Sequence, residues 1–255
     1  MLFRSIATRG IVQTGDNVMI GGFIIGGSGP KTVVVRARGP SLAQFGVPGV
    51  LANPFLQLYS GQTVIASNDN WQQATNASAI TASGQAPTDV NEAAILTTLN
   101  PGPYTAIVTG VGNTQGVAIV EVFEIDAFTV PLVNIATRGP VLTGDNVMIG
   151  GFIIQGSGPQ TVVVRARGPS LAQFGVPGVL ANPVLQLYSG QTVIATNDNW
   201  QQAANAAAIT ASGQAPTDIN ESAILMTLNP GPYTAIVSGA GGGTGIAIVE
   251  VFTVP

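Results

Sequence analysis

The sequence predicts an all-β protein built from two tandem β-sandwich domains. The chain is 45% hydrophobic but only 8% charged, and its apolar residues fall in short runs rich in β-branched side chains. It contains 33 glycines and 17 prolines, which indicates many turns. In addition, the second half of the chain repeats the first, so one all-β unit is present twice.

The repeat aligns without a gap. Residues 6–123 and 135–252 are related by a shift of 129 and are identical at 101 of 118 positions. We therefore divide the chain into repeat 1 (1–127), a linker (128–134) and repeat 2 (135–255), and predict that each repeat is one sandwich domain.

Seven segments of repeat 1 are expected to be strands, and together with the repeat length they indicate about eight strands per domain. Eight short strands in about 120 residues are typical of a Greek-key or jelly-roll sandwich, and the sequence leaves both open. Short helical turns are predicted at Ser41–Phe45 and near 77–83. The predicted strands are 17–25, 32–38, 56–59, 63–66, 94–96, 104–108 and 117–123.

Four segments of the repeat resemble an unnamed domain found toward the C-termini of large secreted proteins of environmental bacteria. The likeness covers nearly all of both copies and implies an extracellular or cell-surface location, without implying an activity. The segments in repeat 1 are Ile6-Ala7-Thr8-Arg9-Gly10, Ile20-Gly21-Gly22-Phe23, residues 35–42 and residues 116–122.

A weaker likeness is to the bacterial pre-peptidase C-terminal domain, a jelly-roll module of secreted proteases. It rests on Leu56-Gln57-Leu58-Tyr59, on residues 65–69 and on residues 99–105, while the first third of the repeat does not match. Some members of that family bind Ca²⁺ or matrix proteins, so the resemblance implies calcium or a matrix ligand as an expectation.

Composition argues against several classes of function. The net charge is −4, with Lys31 as the one lysine and no basic run, which argues against a nucleic-acid surface. The chain has no histidine and no cysteine, so the commonest general base, thiolate metal sites and disulfides are missing. No apolar run reaches the ~18 residues of a membrane span. We therefore expect a protein that is not an enzyme.

The densest set of oxygen ligands lies in one loop of each repeat. Carboxylates and amides in a loop are the ligands that Ca²⁺ prefers, which makes this the candidate metal site. The alternative interpretation is that these side chains only cap turns. No other cofactor is predicted. The proposed ligands are Asp69, Asp89 and Glu92 in repeat 1 and Asp198, Asp218 and Glu221 in repeat 2.

Two further groups allow a structural and a functional interpretation. Arg36 and Arg38 share one face of a predicted strand, where Glu121 or Asp16 can pair with them inside the domain, or a second subunit can. Trp71 and its counterpart Trp200 lie beside polar loops, where they either cover the end of the sandwich or stack on a sugar ring.

The leading functional hypothesis is a subunit of an extracellular bacterial filament or surface array that binds copies of itself head to tail. In this hypothesis the strand at the chain's end binds the next subunit in the same way that the linker strand joins the two repeats. The alternative is a Ca²⁺-dependent adhesion or carbohydrate-binding module of a larger secreted protein, with a glycan or matrix ligand. The proposed interface residues are Phe128, Val130 and Pro131 in the linker and Phe252, Val254 and Pro255 at the end.

Overall fold

A computed structural model describes residues 3–126 and 132–254, and its strands divide equally between the two repeats. Short 3₁₀ turns of three or six residues and, in each repeat, one short α-helix lie in the connections between strands. The helices are α1 at Ala77–Ala82 and α2 at Ala206–Ala211. Repeat 1 contains β1 (Phe3–Val12), β2 (Met19–Ile25), β3 (Lys31–Arg38), β4 (Pro54–Ser60), β5 (Thr63–Asn68), β6 (Ala93–Leu99), β7 (Gly102–Gly110) and β8 (Gly116–Glu124).

Repeat 2 has the same elements at equivalent positions. Its 3₁₀ turn at Pro169–Phe174 corresponds to Pro40–Phe45 in repeat 1, where a helical turn is predicted from the sequence. The strands are β9 (Leu132–Val141), β10 (Met148–Ile154), β11 (Gln160–Arg167), β12 (Pro183–Ser189), β13 (Thr192–Asn197), β14 (Ser222–Leu228), β15 (Gly231–Gly239) and β16 (Gly245–Thr253).

The strand order in each repeat is that of a jelly roll. In repeat 1, one antiparallel sheet has the order β6-β3-β8-β1 and the other has the order β2-β7-β4-β5. Repeat 2 follows the same order with β14-β11-β16-β9 and β10-β15-β12-β13. This arrangement resolves the choice between Greek-key and jelly-roll connections that the sequence leaves open.

The two repeats join edge to edge through four strands, β1, β2, β9 and β10, which we call the joint. Strand β1 pairs with β10, and β9 pairs with β2, both antiparallel. Each sheet of one repeat therefore continues into a sheet of the other, giving two eight-stranded sheets across the described residues. The prediction that each repeat is a separate domain stays a prediction.

The core lies between the two sheets and runs without interruption through both repeats. On β3 the side chains of Val33, Val35 and Ala37 point into it, and Arg36 and Arg38 point to the outer face, as the period of two requires. Trp71 and Ile80 form a smaller cluster on that outer face. The all-β sandwich fold and the seven predicted strand segments are confirmed.

One strand of each repeat, β1 and its equivalent β9, was not among the predicted segments. Its sequence mixes polar and apolar residues without a strict period of two, and Arg9 and Gly10 interrupt it. Within the part of the chain that the structure describes, no helix is long and apolar enough to cross a membrane.

Candidate functional site at the repeat joint and the sheet ends

The charged groups on the outer face form a closed triad in each repeat. Glu121 on β8 lies opposite Arg36 on β3, and its Oε2 accepts hydrogen bonds from Arg36 Nε at 2.6 Å and Arg38 Nε at 2.8 Å. The Arg36 guanidinium also lies over the ring of Phe123, 4.5 Å from its centroid. The intradomain ion pair proposed from the sequence is therefore present.

Repeat 2 contains the same triad with nearly the same geometry. Both Arg165 Nε and Arg167 Nε donate to Glu250 Oε2 at 2.7 Å. In each repeat the triad also fixes loops, because Arg36 Nη1 donates to the carbonyl of Gln85 at 2.8 Å. These contacts engage both oxygens of the Glu121 carboxylate and connect β3, β8 and the loop at Gln85.

The carboxylate of Glu92, one of the predicted calcium ligands, accepts hydrogen bonds from the protein backbone. It is fully buried, and its Oε1 accepts the N–H groups of Gly39 at 3.0 Å and Ser41 at 2.9 Å. Those N–H groups open the 3₁₀ turn that follows β3. Glu221 makes the same two bonds in repeat 2, so this carboxylate caps a turn in both repeats.

The other predicted calcium ligands lie nearer the surface. Asp89 is half-buried, and its Oδ1 accepts the N–H of Asn91 at 2.9 Å, which is a turn-capping contact. Asp218 makes the same contact, while Asp69 is half-buried and Asp198 exposed. Among the described residues, no group of three acidic side chains is close enough to hold a metal ion. Calcium binding stays a prediction.

Trp71 covers the outer face of the sandwich. It is 9% exposed, packs with Ile80 and Ala94, and donates its indole N–H to the carbonyl of Asp89 at 3.1 Å. Trp200 makes the equivalent bond to Asp218 at 3.0 Å. Because the Trp71 ring is buried, the covering interpretation fits it better than stacking on a sugar.

Of the predicted interface residues, two lie in the described part of the chain. Phe252 is in β16, opposite Val163 on β11 and Asn134 on β9, and the Arg165 guanidinium lies 4.6 Å from its ring centroid. The N–H of Val254 donates to the carbonyl of Thr161 at 2.9 Å. The last strand thus pairs within its own repeat. Phe128, Val130, Pro131 and Pro255 lie outside the described residues.

The joint is the first of two surfaces that sequence reasoning missed. At its centre the buried side chains of Thr8 and Thr137 face each other, and Thr137 Oγ1 donates to Thr8 Oγ1 at 2.8 Å. Arg9 Nη2 reaches across to the carbonyl of Asp145 at 3.3 Å. Gly21-Gly22 inside an apolar strand does indicate a close approach, but the tight one, at Gly21, is to β8 of the same repeat rather than across the joint.

That close approach is visible at the glycines. A Cβ built on Gly21 would lie 3.3 Å from both Cγ atoms of Val120, and one on Gly22 would lie 3.8 Å from the Cβ of Ala136 on β9. Gly150 is in the same position against Val249, with 3.3 Å to its nearest Cγ. A side chain at Gly21 or Gly150 would crowd the sandwich next to the joint.

A buried group of charges, the junction cluster of Lys31, Glu124 and Asp126, lies where repeat 1 ends. Lys31 is fully buried, with its Nζ 3.0 Å from Asp126 Oδ1 and 3.6 Å from Glu124 Oε1. Glu124 Oε1 also accepts the N–H of Leu132 at 3.2 Å, which ties the end of β8 to the start of β9. The cluster therefore fastens repeat 1 to repeat 2.

The pKa values of the two carboxylates of the junction cluster are shifted in opposite directions. Burial raises the pKa of Glu124, and its contacts with Lys31 and the Leu132 N–H only partly offset this. Burial also acts to raise the pKa of Asp126, but hydrogen bonds from the Thr32 N–H and the Lys31 ammonium outweigh it and lower the pKa.

The second surface is the pair of sheet ends, formed by the edge strands β5 and β6 of repeat 1 and β13 and β14 of repeat 2. In the described chain β5 pairs only with β4, and β6 only with β3. Val64 is 44% exposed and Ile65 43% exposed on β5, and Val193 is 44% exposed on β13. A bulge opposite Leu58 and Tyr59 interrupts the β4–β5 ladder.

A groove separates the two edge strands at each end, with a volume of about 390 Å³ in repeat 1 and about 800 Å³ in repeat 2. Two asparagines occupy part of the β6 edge. Asn68 Oδ1 accepts the N–H of Ala94 at 3.0 Å, and Asn76 Nδ2 donates to the carbonyl of Leu96 at 2.9 Å. Side-chain amides here take hydrogen-bonding positions that a neighbouring strand would otherwise fill.

No family model matches the chain, and no curated protein matches it. Among solved structures, it is similar to the major capsid protein P2 from bacteriophage PM2, with 10% identity, a TM-score of 0.24, and coverage of 100% of this chain and 98% of the other. It is also similar to an atomic structure of Sulfolobus Turreted Icosahedral Virus, with 11% identity, a TM-score of 0.24, and coverage of 98% and 88%. Such TM-scores are too low to establish a shared fold or function.

Proposed function

We propose that this protein is a structural, non-enzymatic subunit of an extracellular bacterial filament or surface array, and that copies bind each other through their sheet ends. The single observation that carries the proposal is the chemistry of those ends. Strands β5 and β6, and their counterparts β13 and β14, contain no charged residue and have one side unpaired in the described chain.

Edge strands without charged residues are uncommon in proteins that stay monomeric, although Asn68 and Asn76 occupy part of the β6 edge here. An exposed edge strand offers unpaired N–H and C=O groups to another chain, and proteins usually place lysine, proline or inward-pointing charges there. Here the large apolar side chains Val64, Ile65 and Val193 are exposed. The bulge in β5 limits strand addition near the hairpin, so the apolar side chains are the main contribution to the contact.

The placement of the ends favours a linear assembly. Each eight-stranded sheet runs from an end in repeat 1 to an end in repeat 2, through the joint. A subunit with one contact surface at each of two opposite ends, where the surfaces fit each other, forms open chains rather than closed pairs.

Assembly through the last strand of the chain would require a rearrangement, whereas assembly through the sheet ends would not. For the last strand to bind a second subunit, Phe252 must leave β9 and β11, and Val254 must leave Thr161. The sheet ends are accessible without any such change. The extracellular and bacterial parts of the proposal are supported by the resemblance of the repeat to domains of secreted bacterial proteins.

The test is assembly of the purified chain at increasing concentration, followed by light scattering and electron microscopy. Replacing Val64 and Val193 by lysine (V64K/V193K) puts two charges at the ends. We expect the concentration at which assemblies appear to rise about tenfold or more, since ~1.4 kcal/mol corresponds to tenfold. Both valines are partly exposed, so the melting temperature should hardly change.

A matched control carries the same charges elsewhere. Val90 is 53% exposed and Ile219 is 60% exposed, and both lie outside the edge strands. The V90K/I219K variant should assemble as the wild type does. Dispersed wild-type particles at every concentration would refute self-association, and equal effects of the two variants would refute the sheet-end contact.

A further inference from the structure

The joint is nearly symmetric, because each repeat contributes the same strands to it. Strand β2 and strand β10 have the same sequence, Met-Ile-Gly-Gly-Phe-Ile-Ile. The register is also the same on both sides, since Arg9 pairs with Ile149 and Arg138 pairs with Ile20. Each repeat therefore presents to the other a surface that the other also has, as in a two-fold dimer.

From this symmetry we infer that the joint also forms between chains, with a second copy of this chain as the partner. A repeat of one chain would pair with a repeat of another through the same four strands, and the linker would connect two such joints. No new contact is needed, because the strands that pair within the chain are the ones that pair between chains. The exchange is a domain swap in which every repeat is a competent partner for every other.

The energetics allow both forms but disfavour a free repeat. The core crosses the joint, where Leu132, Ile135 and Phe152 are all buried. A repeat without a partner would expose these apolar groups together with the open edges of its β1 and β2, so an opened chain must pair again. The closed and exchanged forms have the same joint contacts, and their balance depends mainly on concentration.

The linker sets the concentration scale. A short connection gives the two repeats of one chain an effective concentration on the order of millimolar, which favours the closed form in dilute solution. The bond from the Leu132 N–H to Glu124 favours it further. Crowding of copies on a surface, or refolding at high concentration, favours exchange.

Cysteine substitution at the centre of the joint tests the inference, because the natural chain has no cysteine. The hydroxyl oxygens of Thr8 and Thr137 are 2.8 Å apart, so T8C/T137C should form a disulfide wherever repeat 1 meets repeat 2. After denaturation and refolding of dilute protein, we expect a disulfide-linked monomer. At concentrations raised tenfold and a hundredfold, we expect a growing ladder of disulfide-linked oligomers on non-reducing gels.

The single variants T8C and T137C are the controls. In a closed chain a single cysteine has no partner, whereas exchange between two repeat 1 units of T8C brings the introduced thiols of two chains together and gives a linked dimer. Linked monomer alone at every concentration for T8C/T137C, together with unlinked T8C and T137C, would overturn the inference. Melting temperatures of the reduced variants check that they fold.

A second measurement needs no substitution. Wild-type chains with natural and heavy isotopes are unfolded, mixed, refolded at high concentration and measured by native mass spectrometry, and mixed-label oligomers are the expected result. Repeating the cysteine experiment in V64K/V193K separates this inference from the sheet-end proposal. Ladders that persist in V64K/V193K while filaments are lost would support exchange as a contact separate from the sheet ends. Loss of the ladders together with the filaments would count against exchange, and filaments that persist without intermolecular disulfides would count against both contacts.

Discussion

The ends of β8 and β16 occupy equivalent places in the two repeats, but different chemistry holds them. In repeat 1 a fully buried Lys31 lies between Glu124 and Asp126. In repeat 2 the equivalent of Lys31 is Gln160, whose side-chain amide donates to the carbonyls of Thr161 and Val254 at 3.1 and 3.2 Å. The backbone pairing is the same, so the charges are not required for the strand to form.

What distinguishes the two places is the contact that Glu124 makes. Strand β8 leads into repeat 2, and its Glu124 accepts the Leu132 N–H at the start of β9. The equivalent of Glu124 in repeat 2 is Thr253, which has no carboxylate. The difference indicates that the buried charges serve the connection between repeats rather than the fold of one repeat. One Glu124 oxygen, Oε2, is buried without a hydrogen-bond partner among the described residues, so this connection is costly.

The largest expected effect on stability comes from removing the positive charge of the junction cluster. Replacing Lys31 by the residue that repeat 2 has (K31Q) leaves the buried Glu124 carboxylate without its cation. Removing one partner of a buried pair typically costs about 3–5 kcal/mol, and we expect about 3 kcal/mol because Asp126 is partly exposed. Chemical denaturation measures the loss.

The reverse substitution in repeat 2 is the control. Gln160 is half-buried, so the ammonium of a Q160K variant can reach water along its flexible stem, and we expect a cost below about 1 kcal/mol. Equal losses from K31Q and Q160K would mean that the two strand ends differ in sequence but not in energetics.

An intermediate effect on stability is expected when repeat 1 receives both of the neutral residues that repeat 2 has at these positions. The double variant K31Q/E124T gives repeat 1 the side chains of Gln160 and Thr253. Exchange of a buried ion pair for neutral groups is often close to neutral in free energy, so stability should return to within about 1 kcal/mol of the wild type. The E124T single variant completes the double-mutant cycle. If K31Q/E124T were as unstable as K31Q, the result would contradict this account.

The sequence predicted most of the fold because its strands alternate and its turns contain glycine and proline at the required places. The strands around Val33–Val35 and the hairpin at Ser60–Gln62 are examples, and the pairing of Arg36 with Glu121 follows from one face of a strand. The joint was not predicted, because β1 has a weak pattern and its partner lies more than a hundred residues away. The turn-capping role of Glu92 was not predicted for a related reason, since its backbone partners lie about fifty residues earlier.

The smallest effect expected is a difference in pH dependence between the two strand ends. The lowered pKa of Asp126 means that its ionised form stabilises the native state above the ordinary aspartate pKa, about 3.9, and that this contribution is lost as the pH falls through the lowered value. The raised pKa of Glu124 acts in the opposite direction, because the cost of burying its charge disappears as the pH falls through that pKa. Substituting Asp126 by asparagine (D126N) isolates the first contribution.

Hydrogen exchange at two equivalent amides reports this difference directly. The Ile125 N–H donates to the carbonyl of Thr32 at 3.1 Å beside the junction cluster, and the Val254 N–H donates to the carbonyl of Thr161 at 2.9 Å at the equivalent place in repeat 2. After correction for intrinsic exchange, D126N should lower protection of Ile125 at neutral pH by about two- to fivefold, because an ion pair with a partly exposed partner contributes about 0.2–1 kcal/mol. The loss should vanish below the lowered Asp126 pKa, while Val254 stays unchanged throughout. A pH-independent loss at Ile125 would mean that Asp126 acts through packing rather than through its charge.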